Sequence, residues 1–212
     1  MKRTLAIAVA VLAAIVAPSA SGAPTPQTLT LGANATTVKF GATVTLSGKL
    51  AGGNIDGKNV TVREDPFPVG AFGNAGSAAT NATGDWSLAV NPFANTRYQA
   101  RSGKADSPTL DVMVRPAITL KLSDRTPRRG QLVRFSGTLC PEHDGTAIAL
   151  QRRTANGWRT VAKPVLADVA TTTCSSHARR LRVRRDGTYR ARFLGDADHV
   201  AGNSRARRAT VH

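Results

Sequence analysis

The chain has 212 residues, with 29 Lys and Arg against 13 Asp and Glu, and only ten aromatic residues. This length gives room for one or two domains, and a hydrophobic fraction of 41% is enough for a packed core. The composition excludes a long disordered chain and a membrane bundle, while the formal net charge of +16 predicts a strongly basic surface.

The N-terminus predicts a secretory signal peptide over residues 1–23. Lys2 and Arg3 precede an apolar run of thirteen residues, 5–17, and a Pro and several small residues follow it. Such a run rises only about 20 Å as a helix, short of the roughly 30 Å hydrocarbon core, so cleavage after export is favoured over a membrane anchor. We therefore expect a secreted protein, extracellular or loosely associated with a cell wall, and no transmembrane segment in the mature chain.

The rest of the chain repeats itself. A shift of 89 positions aligns residues 29–50 with residues 118–139, and eight of the 22 aligned positions are identical. A shift of 91 aligns Tyr-Gln-Ala-Arg at 98–101 with Tyr-Arg-Ala-Arg at 189–192. Self-similarity at this period predicts two copies of one domain, which we assign to residues 24–116 and 117–212.

Apolar residues alternate with polar or small residues throughout both copies. In chain order the alternating sets are Val44/Leu46, Val60/Val62, Trp86/Leu88/Val90, Tyr98/Ala100, Leu110/Val112/Val114, Val133/Phe135, Ile148/Leu150, Leu181/Val183 and Tyr189/Ala191/Phe193. A period of two, interrupted by Gly, Asn, Asp and Pro, predicts an all-β chain with about seven antiparallel strands per copy. Asn156-Gly157 predicts a tight hairpin turn. Residues 66–76 of the first copy predict an open loop, for which a flexible insertion is favoured over a contact surface formed by Phe67 and Phe72.

Three segments resemble the bacterial immunoglobulin-like repeats of secreted and surface proteins. They are Gly-x-x-Val-x-Leu-Ser-Gly-x-Leu at 41–50, Gly-Asp-Trp-Ser-Leu at 84–88 and Asn-Thr-Arg-Tyr-Gln-Ala at 95–100. The resemblance implies two tandem immunoglobulin-like antiparallel β-sandwiches. It also implies a non-catalytic extracellular module that acts as a spacer, adhesin or binding domain, with no catalytic residues.

The two cysteines, Cys140 and Cys174, predict a disulfide, because an exported chain meets an oxidising compartment. In immunoglobulin-like sheets the strands beside these positions are antiparallel neighbours, which agrees with the pairing. The alternative is a metal-binding module. A duplicated Cys-x-x-His pattern supplies Cys140, His143, Cys174 and His177, the two thiolates and two imidazoles of a tetrahedral zinc site.

The positive charge is concentrated in the second copy. Residues 24–116 carry eight basic and six acidic residues, a net charge of +2, whereas residues 117–212 carry nineteen and seven, a net charge of +12. The candidate polyanion-binding residues alternate with apolar residues near residue 187 and are Arg180, Arg182, Arg184, Arg190 and Arg192. A hairpin would gather them on one face, but the resemblance favours a corner between two sheets, which divides them between opposite faces.

The partner predicted from this charge is an acidic polymer, and an extracellular protein or polysaccharide is the other expectation. Arginines outnumber lysines 22 to 7, so codon bias in a GC-rich genome explains the same composition without a ligand. No aromatic residues interleave with the basic ones as a stacking platform, which argues against sequence-specific nucleic-acid binding. The sequence contains none of the common catalytic motifs, so we expect a monomer that is not an enzyme and needs no cofactor.

Overall fold

The structure is a computed structural model that describes residues 25–68, 70–170 and 172–212. The predicted signal peptide lies outside these residues. The described residues form strands and loops and contain no helix, so the all-β prediction is confirmed. In this part of the chain no helix combines the length and apolar character needed to cross a membrane.

Residues 25–116, the first half, contain ten strands. They are β1 Thr28–Leu29, β2 Gly32–Ala33, β3 Thr37–Lys39, β4 Val44–Ala51, β5 Asn59–Pro66, β6 Gly73–Ala79, β7 Asp85–Val90, β8 Thr96–Ser102, β9 Ala105–Asp106 and β10 Leu110–Arg115. In one sheet β1, β2 and β7 pair with β4; in the other the order is β3-β10-β8-β5-β6, with β9 on β8. All pairs are antiparallel except β3 with β10.

Residues 117–212, the second half, contain nine strands. They are β11 Ala117–Ile118, β12 Lys121–Leu122, β13 Gln131–Cys140, β14 Ala149–Thr154, β15 Gly157–Ala162, β16 Ser175–Val183, β17 Gly187–Phe193, β18 Gly202–Asn203 and β19 Arg207–Ala209. In one sheet β11, β12 and β16 pair with β13; in the other β17 joins β14 to β18 and β19, and β15 pairs with β14.

Both halves therefore place their strands in the order of an immunoglobulin-like sandwich. In each half one sheet contains two short strands (β1 and β2, or β11 and β12), the long strand that follows them (β4 or β13) and one later strand (β7 or β16). The remaining strands make the other sheet. About seven strands per copy were predicted, and the larger number reflects additional short strands of two or three residues near the first and last strands of each half. The division into domains at residue 116 stays a prediction.

Each half has its own apolar core, because alternate residues of every long strand point between its two sheets. The first core includes Leu46, Val60 and Tyr98, all fully buried. The second core is built around Phe135 and Phe193. The Phe135 ring lies 4.8 Å from the ring of Tyr189, measured between centroids.

The repeated Ser-Gly dipeptide has a steric cause. Gly48 lies opposite Trp86, and Gly137 occupies the same place opposite His177. A Cβ atom would stand 1.9 Å from the Thr30 carbonyl oxygen if added to Gly48 and 2.1 Å from the Thr119 carbonyl oxygen if added to Gly137. Only glycine lets the first strand approach this closely.

The connection between β5 and β6 is shorter than predicted. The two strands form a hairpin with a bulge at Val62/Arg63, and the strands reach Pro66 and Gly73, so the predicted open loop shrinks to the residues between them. Phe67 is 48% exposed, whereas Phe72 packs under the Arg63 guanidinium, 5.4 Å from the ring centroid. The hairpin predicted at Asn156-Gly157 is present between β14 and β15.

Candidate anion-binding site

A disulfide joins Cys140, at the end of β13, to Cys174, just before β16. The two strands are antiparallel neighbours in one sheet, and the Cα atoms lie 4.3 Å apart. The predicted disulfide is therefore present. The alternative zinc site of Cys140, His143, Cys174 and His177 is wrong, because its two sulfur atoms are bonded to each other.

His177 is a core residue of the second half. It lies opposite Gly137, where the first half has Trp86 opposite Gly48, and its side chain is buried. Its Nε2 atom lies 3.1 Å from the carbonyl oxygen of Thr119, the geometry of an N–H donor. His177 therefore takes the core position that Trp86 fills in the first half, and this position explains the histidine of the second Cys-x-x-His pattern.

The pKa of His177 gives a testable pH dependence. Burial lowers this pKa below its ordinary value of 6.5, and the hydrogen bond to Thr119 offsets part of the effect. As the pH falls, the unfolded chain therefore takes up a proton before the folded chain does. We expect the free energy of unfolding of the second half to be constant above about pH 7 and to decrease below about pH 6.5.

Denaturant titrations between pH 7.5 and pH 5 measure this effect. His177→Gln, which keeps a donor for Thr119, should flatten the decrease. The exposed His212→Gln variant is the control and should follow the wild-type curve. Superimposable curves for His177→Gln and wild type would contradict the assignment.

The candidate arginines divide between the two sheets of the second half. Arg180 and Arg182 lie on β16, which pairs with β13, whereas Arg190 and Arg192 lie on β17, which pairs with β14. Arg184 lies in the connection between β16 and β17. The predicted corner is confirmed, and the hairpin arrangement is wrong, because the two strands belong to different sheets.

Like charges lie opposite each other on the sheet that contains β16. Arg134 on β13 is the direct neighbour of Arg180 in the strand register, and both side chains are exposed. Opposed like charges on one face destabilise a sheet unless an anion or solvent screens them. This face therefore offers one pair of cations to an anionic ligand.

On the other sheet two arginines pack against Trp158. The guanidinium carbon of Arg190 lies 4.2 Å from the centre of the Trp158 ring, and that of Arg153 lies 5.6 Å away. Arg190 also donates from Nε to Gln151 Oε1 at 2.9 Å. Burial, followed by the charges of Arg192 and Arg153, lowers the pKa of Arg190. The indole covered by two cations is not a free platform for nucleobases.

A pocket of about 280 Å³ opens at the corner between β16 and β17. We call it the corner pocket, and its lining residues are Arg152, Val161, Leu181, Arg182, Arg184, Arg185 and Tyr189. Four of the seven are arginines and none is acidic. The sequence pattern named Arg182 and Arg184 but missed Arg152 and Arg185, since Arg152 comes from a strand of the opposite sheet.

Two backbone carbonyls position two of the four arginines of the corner pocket. Arg152 donates from its terminal nitrogen to the Asp186 carbonyl at 2.7 Å, and Arg182 donates to the Gly130 carbonyl at 3.3 Å. Burial raises the pKa of Tyr189, while the charges of Arg152 and Arg185 partly lower it again. Guanidinium groups held by carbonyls keep most of their N–H donors for a carboxylate, sulfate or phosphate.

Ion pairing differs sharply between the two halves. Among the described residues of the first half, four basic residues pair with carboxylates: Lys49, Arg63, Arg97 and Arg101. In the described part of the second half, Arg208 is the only Lys or Arg that does so, at 3.6 Å from Asp186. The second half thus holds nineteen basic residues and a single Lys or Arg neutralised by a carboxylate.

A second pocket, of about 380 Å³, lies where the halves meet. Phe67, Pro68, Asn95 and Met113 line it together with Ala197 of the second half. Asn95 donates from its backbone nitrogen to the Asp198 carbonyl at 2.7 Å and from its amide to the Ala197 carbonyl at 3.1 Å. Phe67, one of the two aromatic residues of the segment predicted as an open loop, is exposed and lines this cavity.

Comparisons with known proteins add no family to this description. No protein-family model matches the chain, and no curated protein matches its sequence. Among solved structures, the crystal structure of bovine butyrophilin aligns with 84% of this chain and 97% of its own, at 11% identity and a TM-score of 0.41. The immunoglobulin-like assignment rests on the strand pairing of the chain itself.

Proposed function

We propose that this protein is a secreted, non-enzymatic immunoglobulin-like module that binds acidic polymers through its second half. The disulfide supports export, because such bonds persist in oxidising compartments. The sandwich fold supplies a rigid scaffold whose outer faces and corners carry the exposed arginines.

The observation that carries the proposal is that Arg208 is the only Lys or Arg with a carboxylate partner among the described residues of the second half. Codon bias explains an excess of arginine over lysine, but it does not explain why the ion pairs concentrate in the first half. Unpaired cations at high density repel each other and destabilise the fold, and a polyanion relieves that repulsion. The binding energy comes from point contacts and release of counterions, so it weakens with salt.

The corner pocket is the strongest single contact on this surface. Four of its lining residues are arginines and none is acidic, and arginine binds carboxylate, sulfate and phosphate through paired, planar hydrogen bonds. The volume of about 280 Å³ accommodates one such group with part of its sugar or backbone. The remaining arginines on the two outer faces extend the contact along a polymer.

Retention on a sulfated polysaccharide, measured against salt concentration, tests the proposal. We expect tight binding at low salt, and we expect Arg182→Gln/Arg184→Gln/Arg185→Gln to reduce the slope of log K against log salt by about 2 to 3. The matched control, Lys39→Gln/Lys104→Gln/Arg115→Gln, removes three exposed cations of the first half that form no ion pair. It changes the net charge equally and should bind almost as wild type.

Equal weakening of the two triple variants would contradict the proposal, since binding would then follow net charge alone. Binding that persists at high salt would favour the second candidate function, adhesion to a protein. The pocket beside Phe67 supports that candidate, because the aromatic side chain is 48% exposed at a cavity between the halves. Phe67→Ser would abolish a salt-resistant interaction and leave polysaccharide binding unchanged.

A further inference from the structure

Two loops of the second half bring His143, Asp196 and His199 together. His143 follows β13, and the other two lie between β17 and β18. One ligand atom from each residue lies within 4.8 Å of the others. The two imidazole rings are 4.9 Å apart between centroids. We call these three residues the His-Asp-His cluster.

Backbone carbonyls fix the proton on each ring. His143 Nδ1 lies 2.9 Å from the Pro141 carbonyl oxygen, and His199 Nε2 lies 2.9 Å from the Phe93 carbonyl oxygen. A carbonyl oxygen only accepts, so each of these nitrogen atoms carries the ring proton. The opposite nitrogen of each neutral ring, His143 Nε2 and His199 Nδ1, is then a lone pair.

Both lone pairs are buried without a hydrogen-bond partner among the described residues. The His143 side chain is 7% exposed and His199 is 2% exposed. His143 Nε2 lies 3.2 Å from Asp196 Oδ2, which is also an acceptor. Acceptors brought together without a donor repel each other, and a cation bound among the ligand atoms of the cluster would relieve that repulsion.

A proton does not satisfy the whole cluster. Placed on His143 Nε2, it would form an ion pair with Asp196 and leave the buried His199 Nδ1 unpartnered. A metal ion takes all three donor atoms at once. Two imidazoles and one carboxylate are ligands that Zn²⁺ accepts in tetrahedral sites, with the fourth position open to water.

The surroundings hold these ligands as a metal site requires. Metal-binding histidines usually donate their second ring N–H to a carbonyl or carboxylate, as both histidines do here. Asp196 Oδ1 accepts from the backbone nitrogens of Asp198 and His199 at 3.0 and 2.8 Å, which leaves Oδ2 for an ion. The Asp196 side chain is 37% exposed and gives access from solvent.

We propose that the His-Asp-His cluster is a binding site for one divalent transition-metal ion, zinc above all, at the junction between the halves. The site is distinct from the arginine surface and does not depend on the proposed function. It also differs from the Cys-x-x-His set predicted from the sequence. His143 is shared, but the cysteines are replaced by a carboxylate and an imidazole from the loop after β17.

Zinc titration of the full chain, expressed for export and stripped with a chelator, tests this proposal. We expect one equivalent of Zn²⁺ to bind by calorimetry and to raise the melting temperature. Co²⁺ should give the intense visible absorption of a tetrahedral site. Asp196→Asn keeps the Oδ1 acceptor and the turn, and its amide donates to His143 Nε2. It should remain folded and lose affinity at least about 100-fold.

The control is His212→Gln, which removes the exposed C-terminal imidazole and should bind as wild type. His199→Gln gives a second test and should lose binding as Asp196→Asn does. The absence of a Zn²⁺ equivalent in the wild-type chain would overturn the proposal, and so would equal affinity in Asp196→Asn. Loss of binding in His212→Gln alone would also overturn it, because the ion would then lie at the C-terminus.

Discussion

Replacement of both cysteines, Cys140→Ala/Cys174→Ala, is expected to lower the free energy of unfolding of the second half by about 3 to 4 kcal/mol. The bond closes a loop with a sequence separation of 34 residues, and opening it returns that much conformational freedom to the unfolded chain. The bond also anchors the segment that follows β13. Loss of the bond should therefore loosen the loop that carries His143.

Hydrogen exchange followed by mass spectrometry measures this effect in each half separately, with denaturant titration for the global value. The first half contains no cysteine and is the internal control, so its exchange should change little. A reducing agent added to the wild-type chain should reproduce the effect of the double variant. An equal loss of protection in both halves would contradict a local role for the bond.

Replacement of Gly137 by Ala is expected to cost about 3 kcal/mol of stability, and Gly48→Ala should cost a similar amount. The new methyl group would stand 2.1 Å from the Thr119 carbonyl oxygen and 2.8 Å from His177 Nε2. In the first half it would stand 1.9 Å from the Thr30 carbonyl and 2.9 Å from the Trp86 ring. Since the close atoms include paired backbone, the split first strand must separate from β13 or β4.

Gly32→Ala is the matched control. The residue also lies in a strand on β4, but its nearest atom, the Ser47 carbonyl oxygen, would be 3.8 Å from the new methyl group, an ordinary contact. We expect its free energy of unfolding, measured by urea titration, to stay within about 0.5 kcal/mol of the wild-type value. If the free energy of unfolding of Gly137→Ala is as close to the wild-type value as that of Gly32→Ala, the steric explanation is contradicted.

The strands of the fold could be predicted because their signal is local. Alternation at Val44/Leu46 or Tyr189/Ala191 follows directly from the side-chain period of a strand, and these residues are buried as expected. The Ser-Gly dipeptide was visible as a repeat, but its reason was not. The reason is the approach of Thr30 and Thr119 from another strand, and such a contact has no sequence pattern of its own.

The sites were less predictable because they depend on contacts between distant segments. The charge pattern named Arg182 and Arg184, whereas Arg152 reaches the corner pocket from the opposite sheet. The Cys-x-x-His spacing predicted His177 as a metal ligand, although this residue fills a core position. It gave no indication of His199. The His-Asp-His cluster forms only because two loops meet at the same end of the sandwich.

The division of the arginines between back-to-back sheets has a consequence for how the protein would act on a polymer. A protein that is cationic on one side only binds one polymer chain, and its other side makes no contact with a second chain. This sandwich carries Arg180 on one sheet and Arg190 on the other, so under the proposed function each molecule would bind two neighbouring polymer chains. When the charges of the protein and the polyanion balance, the protein would therefore crosslink a soluble polyanion into a network. High ionic strength would dissolve that network again.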